Sequence, residues 1–122
     1  MRRNEIKAAW AEGRGVVNGW LGMPCAYAAE VVGHAGFDAV TVDLQHGMIG
    51  FDQAIAMLQA LSATPAQPFA RVSTNDGPQI MRLLDAGAYG LICPMISTAE
   101  QARALVAACR YPPVGNRSFG PT

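Results

Sequence analysis

Apolar and polar positions along this chain alternate between two patterns, a short apolar run and a longer stretch with helical spacing. Val16 to Leu21 is the first run, and Gly22 with Pro24 breaks it. Residues 25–35 follow as a helix, with Ala28, Val31, Val32 and Ala35 on one face and Gly36 suited to its end. Asp38 to Leu44 is the second strand. Phe51 to Ser62 is the second helix, with Phe51, Ala54, Ile55, Leu58 and Leu61 at helical spacing. Pro68 to Val72 is the third strand. Asp76 stands where it can cap a third helix, Pro78 fits its first turn, Gln79 completes a capping-box spacing, and Gly87 ends it. Gly90 to Pro94 is the fourth strand. Ser97 and Glu100 give another capping-box pair, opening a helix to about Cys109 whose apolar side holds Leu105, Val106 and Cys109. A short leading helix is expected over 4–12, and "RYPPVGNRSFGPT" reads as irregular chain.

Four strand–helix units therefore follow one another. The strands are continuous apolar runs, as parallel strands covered on both faces require. "AGFDAVTVD" at 35–43 resembles "AGAYGLICP" at 86–94, two units later. The fold class is α/β, with two architectures open. One is a small doubly wound sheet, which 122 residues can complete. The other is a (β/α)8 barrel, which needs about 250 residues and of which only half would be present.

Composition narrows the function classes. With 51% hydrophobic and 15% charged residues, the chain is expected to bury a sizeable core. Nine basic and nine acidic side chains leave a formal net charge of zero. That supplies no electrostatic case for nucleic acid or an anionic membrane surface as partner. No apolar run approaches the roughly 18 residues of a membrane span, and the opening "MRRNEIKAAWAEGRG" is too polar for a signal-peptide core. Cys25, Cys93 and Cys109 are odd in number and widely spaced, against a disulfide framework or a zinc knuckle. They are expected to be packing residues in a reducing, cytoplasmic setting.

Chemistry concentrates at the strand ends. In either architecture the active region lies at the carboxyl ends of the strands. The first strand ends near Trp20, the second at Asp43 with His46 just beyond, the third at Arg71, and the fourth at Pro94 and Met95. A carboxylate, an imidazole and a guanidinium on one rim can take a proton and hold a carboxylate or developing oxyanion. Each has a structural alternative: Asp43 as a loop cap, His46 as a turn residue, Arg71 as an ion-pair partner. His34, near the end of the first helix, suits the helix dipole. "GRGVVNG" precedes a strand and so is no dinucleotide fingerprint. No phosphate-binding Gly-Lys-Ser/Thr motif and no GxSxG elbow occurs. Arg110 and Arg117, around Pro112 and Pro113, suit an anion, a solvated loop or a subunit contact.

Taken in order, "LGMPCAYAAEVVGHAGFDAVTVDLQHG" and "ARVSTNDGPQIMRLLDAGAYGLICPMISTAEQARALVAACRYPPVGNR" resemble the HpcH/HpaI aldolases, the metal-dependent class II pyruvate aldolases. The resemblance covers nearly all of this chain but about the first half of a family member. It implies that residues 1–122 are a partial domain, the N-terminal half of a (β/α)8 TIM barrel with four parallel βα units after a short leading helix. The implied activity is a carbon–carbon lyase that cleaves 4-hydroxy-2-oxo acids to pyruvate and an aldehyde. His46 matches the catalytic base and Arg71 the arginine that stabilises the enolate, a 2-oxo acid contact in which Trp20 is placed as well. Asp85, in "LLDAG", matches an acidic residue that raises the histidine's basicity. By position Asp85 lies towards the opposite end of the barrel from His46, and Asp43 is the nearer partner, so both stay open, with a neighbouring subunit as the route for Asp85.

The resemblance also implies a divalent metal ion, Mg, Mn or Co, acting as Lewis acid on the 2-oxo acid. Its ligands, a Glu and an Asp on later strands, are expected beyond residue 122, and this chain alone is expected to be inactive. Family members often carry Glu where Gln45 stands, so the local charge is lower here. Lys7 is the only lysine and lies on the leading helix, which argues against Schiff-base chemistry. A homo-oligomer with a small-molecule 2-oxo acid substrate is expected. The alternatives are a catalytically inactive half-barrel and a complete doubly wound binding domain.

Overall fold

The structure is a computed structural model that describes residues 3–120. After helix α1 (Glu5–Ala11), strands β1 (Asn18–Leu21), β2 (Ala39–Asp43), β3 (Gln67–Arg71) and β4 (Gly90–Ile92) alternate with helices α2 (Ala26–Gly33), α3 (Phe51–Ser62), α4 (Gly77–Asp85) and α5 (Ala99–Ala108). The strands form one parallel sheet in the order β1-β2-β3-β4. A doubly wound sheet reverses its strand order at a switch point; this one never does. Each strand joins its predecessor on the same side, as in a barrel wall. The chain is therefore four consecutive βα units of a (β/α)8 barrel, half of its circumference.

Register sorts the side chains into two layers. Val40, Val42 and Ala70 face the helices and are fully buried with Leu21, Met57, Leu58, Leu61, Ile80 and Leu83. This is the main core. The opposite sheet face, the inside of a barrel, is more polar. There Thr41 exchanges hydrogen bonds with Asn18, and Thr41, Asp43 and Gln67 are buried. At the amino end of that inner face Ile6 of α1 packs on Ala39 and Phe69, closing the end remote from the candidate rim. Continuous burial holds for β2 and β3 alone. β1 alternates between exposed and buried positions, and β4 is only half-buried, because these strands are the sheet's edges.

Three local readings change. Helix α5 opens one residue later than the Ser97/Glu100 spacing implies: Thr98 Oγ1 accepts from Gln101 N, and Gln101 Oε1 accepts from Ser97 N and Thr98 N. Asp76 caps α4 through Gln79 N, at 2.9 Å, but Gln79 Oε1 takes the N–H and hydroxyl of Ser73 and so braces the β3–α4 loop. Helix α2 buries Ala29 and Gly33 and leaves Val31 half-exposed, since the small pair lets α2 approach Thr64 at the end of α3. The thiols also divide. Cys93 and Cys109 pack against the core, whereas Cys25 is exposed and its Sγ accepts from Ala28 N as the cap of α2. Burial pushes the thiol pKa of Cys93 and Cys109 up and so disfavours their thiolates. Among the described residues no helix is long and apolar enough to cross a membrane.

Gly90 begins β4 because the Phe69 ring occupies the space that a Cβ would fill. Gly90→Ala is expected to destabilise the fold by about 1–3 kcal/mol through overpacking. Adding Phe69→Leu should recover part of that loss. Urea denaturation of the two variants checks both statements.

Candidate active site

The β2–β3 register sets Asp43 directly beside Arg71, each the last residue of its strand. The two side chains meet as a fork. Arg71 Nε donates to Asp43 Oδ1 at 2.8 Å and Nη2 to Oδ2 at 2.6 Å. From β1, Trp20 Nε1 donates to Oδ2 at 3.1 Å. The backbone N–H groups of Gln45 and His46 donate to Oδ1 at 3.0 and 3.2 Å. The buried carboxylate thus accepts from two strands besides its own and from the loop that follows it. The Arg71 guanidinium holds the Asp43 pKa well below the usual carboxylate range; burial opposes this, while Trp20 and the two amides add to it. Arg71 is held more basic than an isolated arginine by the same pair. Its guanidinium carbon lies 4.8 Å from the centroid of the Trp20 ring, and Nη1 keeps donors that the fork does not use.

His46 is anchored by its main chain. Besides the Asp43 bond, the loop closes where Gly47 abuts Gly22 and the peptide of Asp43, too tightly for any Cβ. Met48 N donates to Gly22 O at 3.1 Å, which joins the loops after β1 and β2. The exposed imidazole itself makes no hydrogen bond to another described residue. Asp43 therefore grips the histidine's backbone and not its ring, so within this chain it does not act as the imidazole's partner. Next to it, Gln45 Oε1 is buried and unpartnered. Sequence reasoning registered Gln45 as a lost charge and missed it as a spare acceptor at the rim.

Asp85 lies at the far end of α4, near the amino ends of the strands, where Arg117 Nη2 donates to its Oδ1. Arg117 lies over the Tyr111 ring at 4.7 Å. This basic residue is neither a solvated loop residue nor an open anion site, and the fold of one chain leaves Asp85 apart from His46. Lys7, on α1, likewise lies at the end remote from the rim. Among the described residues no group of three or more His, Cys, Asp or Glu side chains stands where it can hold a metal ion. Asp43, the one buried rim carboxylate, already has both oxygens occupied, so these residues do not fit a divalent metal centre.

A sequential parallel half-barrel with an imidazole and a clamped guanidinium at its carboxyl rim is one wall of a (β/α)8 barrel carrying a candidate active site. The chain belongs to the HpcH/HpaI aldolase/citrate lyase family, whose model matches residues 19–120. It is 46% identical over 97% of its length to the hydroxypyruvate/pyruvate aldolase of Rhizorhabdus wittichii, of which it covers 47%. It is 43% identical over 97% of its length to the 4-hydroxy-2-oxo-heptane-1,7-dioate aldolase of Salmonella arizonae, covering 45% of that protein. A crystal structure of a family member from Burkholderia cenocepacia superposes with a TM-score of 0.90 at 31% identity, over 97% of this chain and 49% of that one. The chain spans about half the length of the relatives it matches.

The Asp43 pair predicts acid sensitivity. A carboxyl whose folded pKa lies below its unfolded value near 4 stabilises the fold above that pH, and the contribution fades as pH falls through the folded pKa. Between pH 7 and 5 the wild-type chain and Asp43→Asn should show parallel Tm profiles. Below about pH 4 the wild-type Tm should fall more steeply than that of the variant. Thermal melts at graded pH decide it.

Proposed function

We propose that this chain supplies half of an aldolase barrel that cleaves 4-hydroxy-2-oxo acids to pyruvate and an aldehyde, and that it provides the proton-transfer and enolate-binding side of the site. The observation that carries the reading is the saturated Asp43 carboxylate, which presents Arg71 with unused N–H donors beside an exposed His46. His46, directly or through a water, takes the proton of the C4 hydroxyl. The C3–C4 bond breaks as the C4 oxygen becomes the aldehyde carbonyl, and its electron pair passes into the pyruvate enolate. Arg71 donates to the enolate oxygen, where a charge-assisted bond is stronger than to the neutral keto group. Protonation at C3 releases pyruvate.

The names of the two relatives above support an oxo-acid aldolase. In the complete site a divalent metal would supply Lewis acidity at the keto oxygen. The residues here form no centre for one, so no step above is assigned to it. Asp85, held by Arg117 away from the rim, enters this reading as a carboxylate that a neighbouring subunit offers to His46. The cell compartment proposed is the cytoplasm, in keeping with three unpaired thiols. In isolation the chain is proposed to be inactive.

Pyruvate release from a 4-hydroxy-2-oxo acid tests the assignment in the full-length protein. His46→Ala should lower kcat about a hundredfold or more, as expected for a lost general base; near-normal release would remove His46 from the mechanism. Arg71→Lys should fold and lose most activity, because lysine keeps the charge but not the planar fork that spans Asp43 and the enolate together. Wild-type turnover with Lys at this position would show that a point charge suffices.

A further inference from the structure

Three of the six methionines, Met23, Met48 and Met95, stand on the loops that follow β1, β2 and β4. They are 66%, 84% and 83% exposed, whereas Met57 is fully buried and Met81 packs against the core. The rim methionines therefore contribute little to packing within this chain. Their placement is nevertheless constrained. The Met48 N–H bond to Gly22 ties the loops of Met23 and Met48 together, and Met48 lies two residues past His46. Met95 has a φ of 58°, in the left-handed region that non-glycine residues seldom occupy. Strain of this kind persists where the surroundings enforce it and gathers at ligand-binding positions. Trp20, about half-exposed and stacked on Arg71, adds an apolar surface to the same rim.

Charge points the same way. The segments 22–25, 44–50 and 93–98, which hold the three methionines, contain no Lys, Arg, Asp or Glu. On the remaining rim loop the charge is Asp76, an anion that caps α4. Arg71 is already paired with Asp43 and directed to the oxo-acid end of the reaction. A chain reaching across this rim meets thioethers and an indole, and among the described residues of its loops no Lys or Arg stands free for a terminal carboxylate. Thioethers are polarizable and flexible, and adapt to apolar groups of varied shape.

Resting on the aldolase reading, we propose that Met23, Met48 and Met95, with Trp20, form the acceptor subsite, and that it takes uncharged aldehydes with apolar chains in preference to carboxylate-terminated ones. In the synthetic direction a C3 proton of pyruvate passes to the His46 imidazole, leaving the enolate and an imidazolium. Its C3 bonds to the aldehyde carbonyl carbon, the carbonyl π pair moves to oxygen, and that oxygen takes the proton from the His46 imidazolium. The product is a 4-hydroxy-2-oxo acid, and no further reactant is consumed.

The test uses the full-length protein with pyruvate as donor and hexanal, succinate semialdehyde or glycolaldehyde as acceptor, read as kcat/KM. Hexanal should exceed succinate semialdehyde by at least about tenfold, the scale of discrimination that apolar contacts supply. Met48→Gln and Met95→Gln should each lower the hexanal-to-glycolaldehyde ratio by about tenfold. Met48→Lys should shift preference towards succinate semialdehyde. Preference of the wild type for succinate semialdehyde, or an unmoved ratio in both Gln variants, overturns the subsite while leaving the aldolase reading standing. An unmoved ratio with a changed oligomeric state by light scattering overturns it too, and assigns the methionines to a subunit contact. Absence of turnover with every acceptor overturns the aldolase reading itself, and the subsite with it.

Discussion

The Asp43–Arg71 fork is the interaction around which the rim is organised. A carboxylate buried this deeply is costly unless it is paired and hydrogen-bonded. Here both oxygens are used, and the donors come from β1, β3 and the loop after β2. The Arg71 donors are correct only if the β2–β3 register holds and Trp20 only if the β1–β2 register does, since a slip would turn one partner to the other face of the sheet. The same carboxylate therefore pins the register, fixes the Trp20 indole and shapes the turn that presents His46. Arg71, held between Asp43 and the Trp20 face, retains donors without rotational freedom. Orientation is thus prepared in the fold and need not be arranged when substrate arrives.

The two faces of the sheet divide the work. The helix-facing side carries the aliphatic layer from Val40 and Val42 to Leu58 and Leu83 and supplies most of the stabilising burial. The inner side carries Asn18, Ala39 and Gln67 towards the amino end with Ile6 packed over it, Trp20, Thr41 and Phe69 midway, and Asp43 and Arg71 at the carboxyl end. Packing against α1 closes one end, and the charged groups of the inner face, Asp43 and Arg71, stand at the other. The edges of β1 and β4 are where the remaining wall of a barrel would pair.

The rim joins an electrostatic centre to an apolar border. In the proposed reaction, proton transfer and oxyanion binding are assigned to His46 and Arg71, on the loop after β2 and at the end of β3. The methionine segments follow β1, β2 and β4 on the same rim and carry no Lys, Arg, Asp or Glu.

The repeat of four strand–helix units, the bounds of α3 and the Asp76 cap of α4 were legible in the sequence. Each rests on spacing within a few residues: helical period, a capping side chain, a breaking glycine. The placement of His46 and Arg71 at strand ends was legible for the same reason. Tertiary structure decided what depends on distant segments. Strand order, and with it barrel against doubly wound sheet, depends on which strands pair, and apolar runs alike in composition do not encode that. Asp43 became the partner of Arg71 and of the His46 backbone, not of the imidazole, because register across two strands overrode nearness in the chain. Helix α2 turned Ala29 and Gly33 inward because Thr64 required a close approach. Asp85 met Arg117, 32 residues later, because the segment after α5 folds back along α4. Local pattern determined the parts and their ends; the pairing of strands across the sheet determined which charges meet.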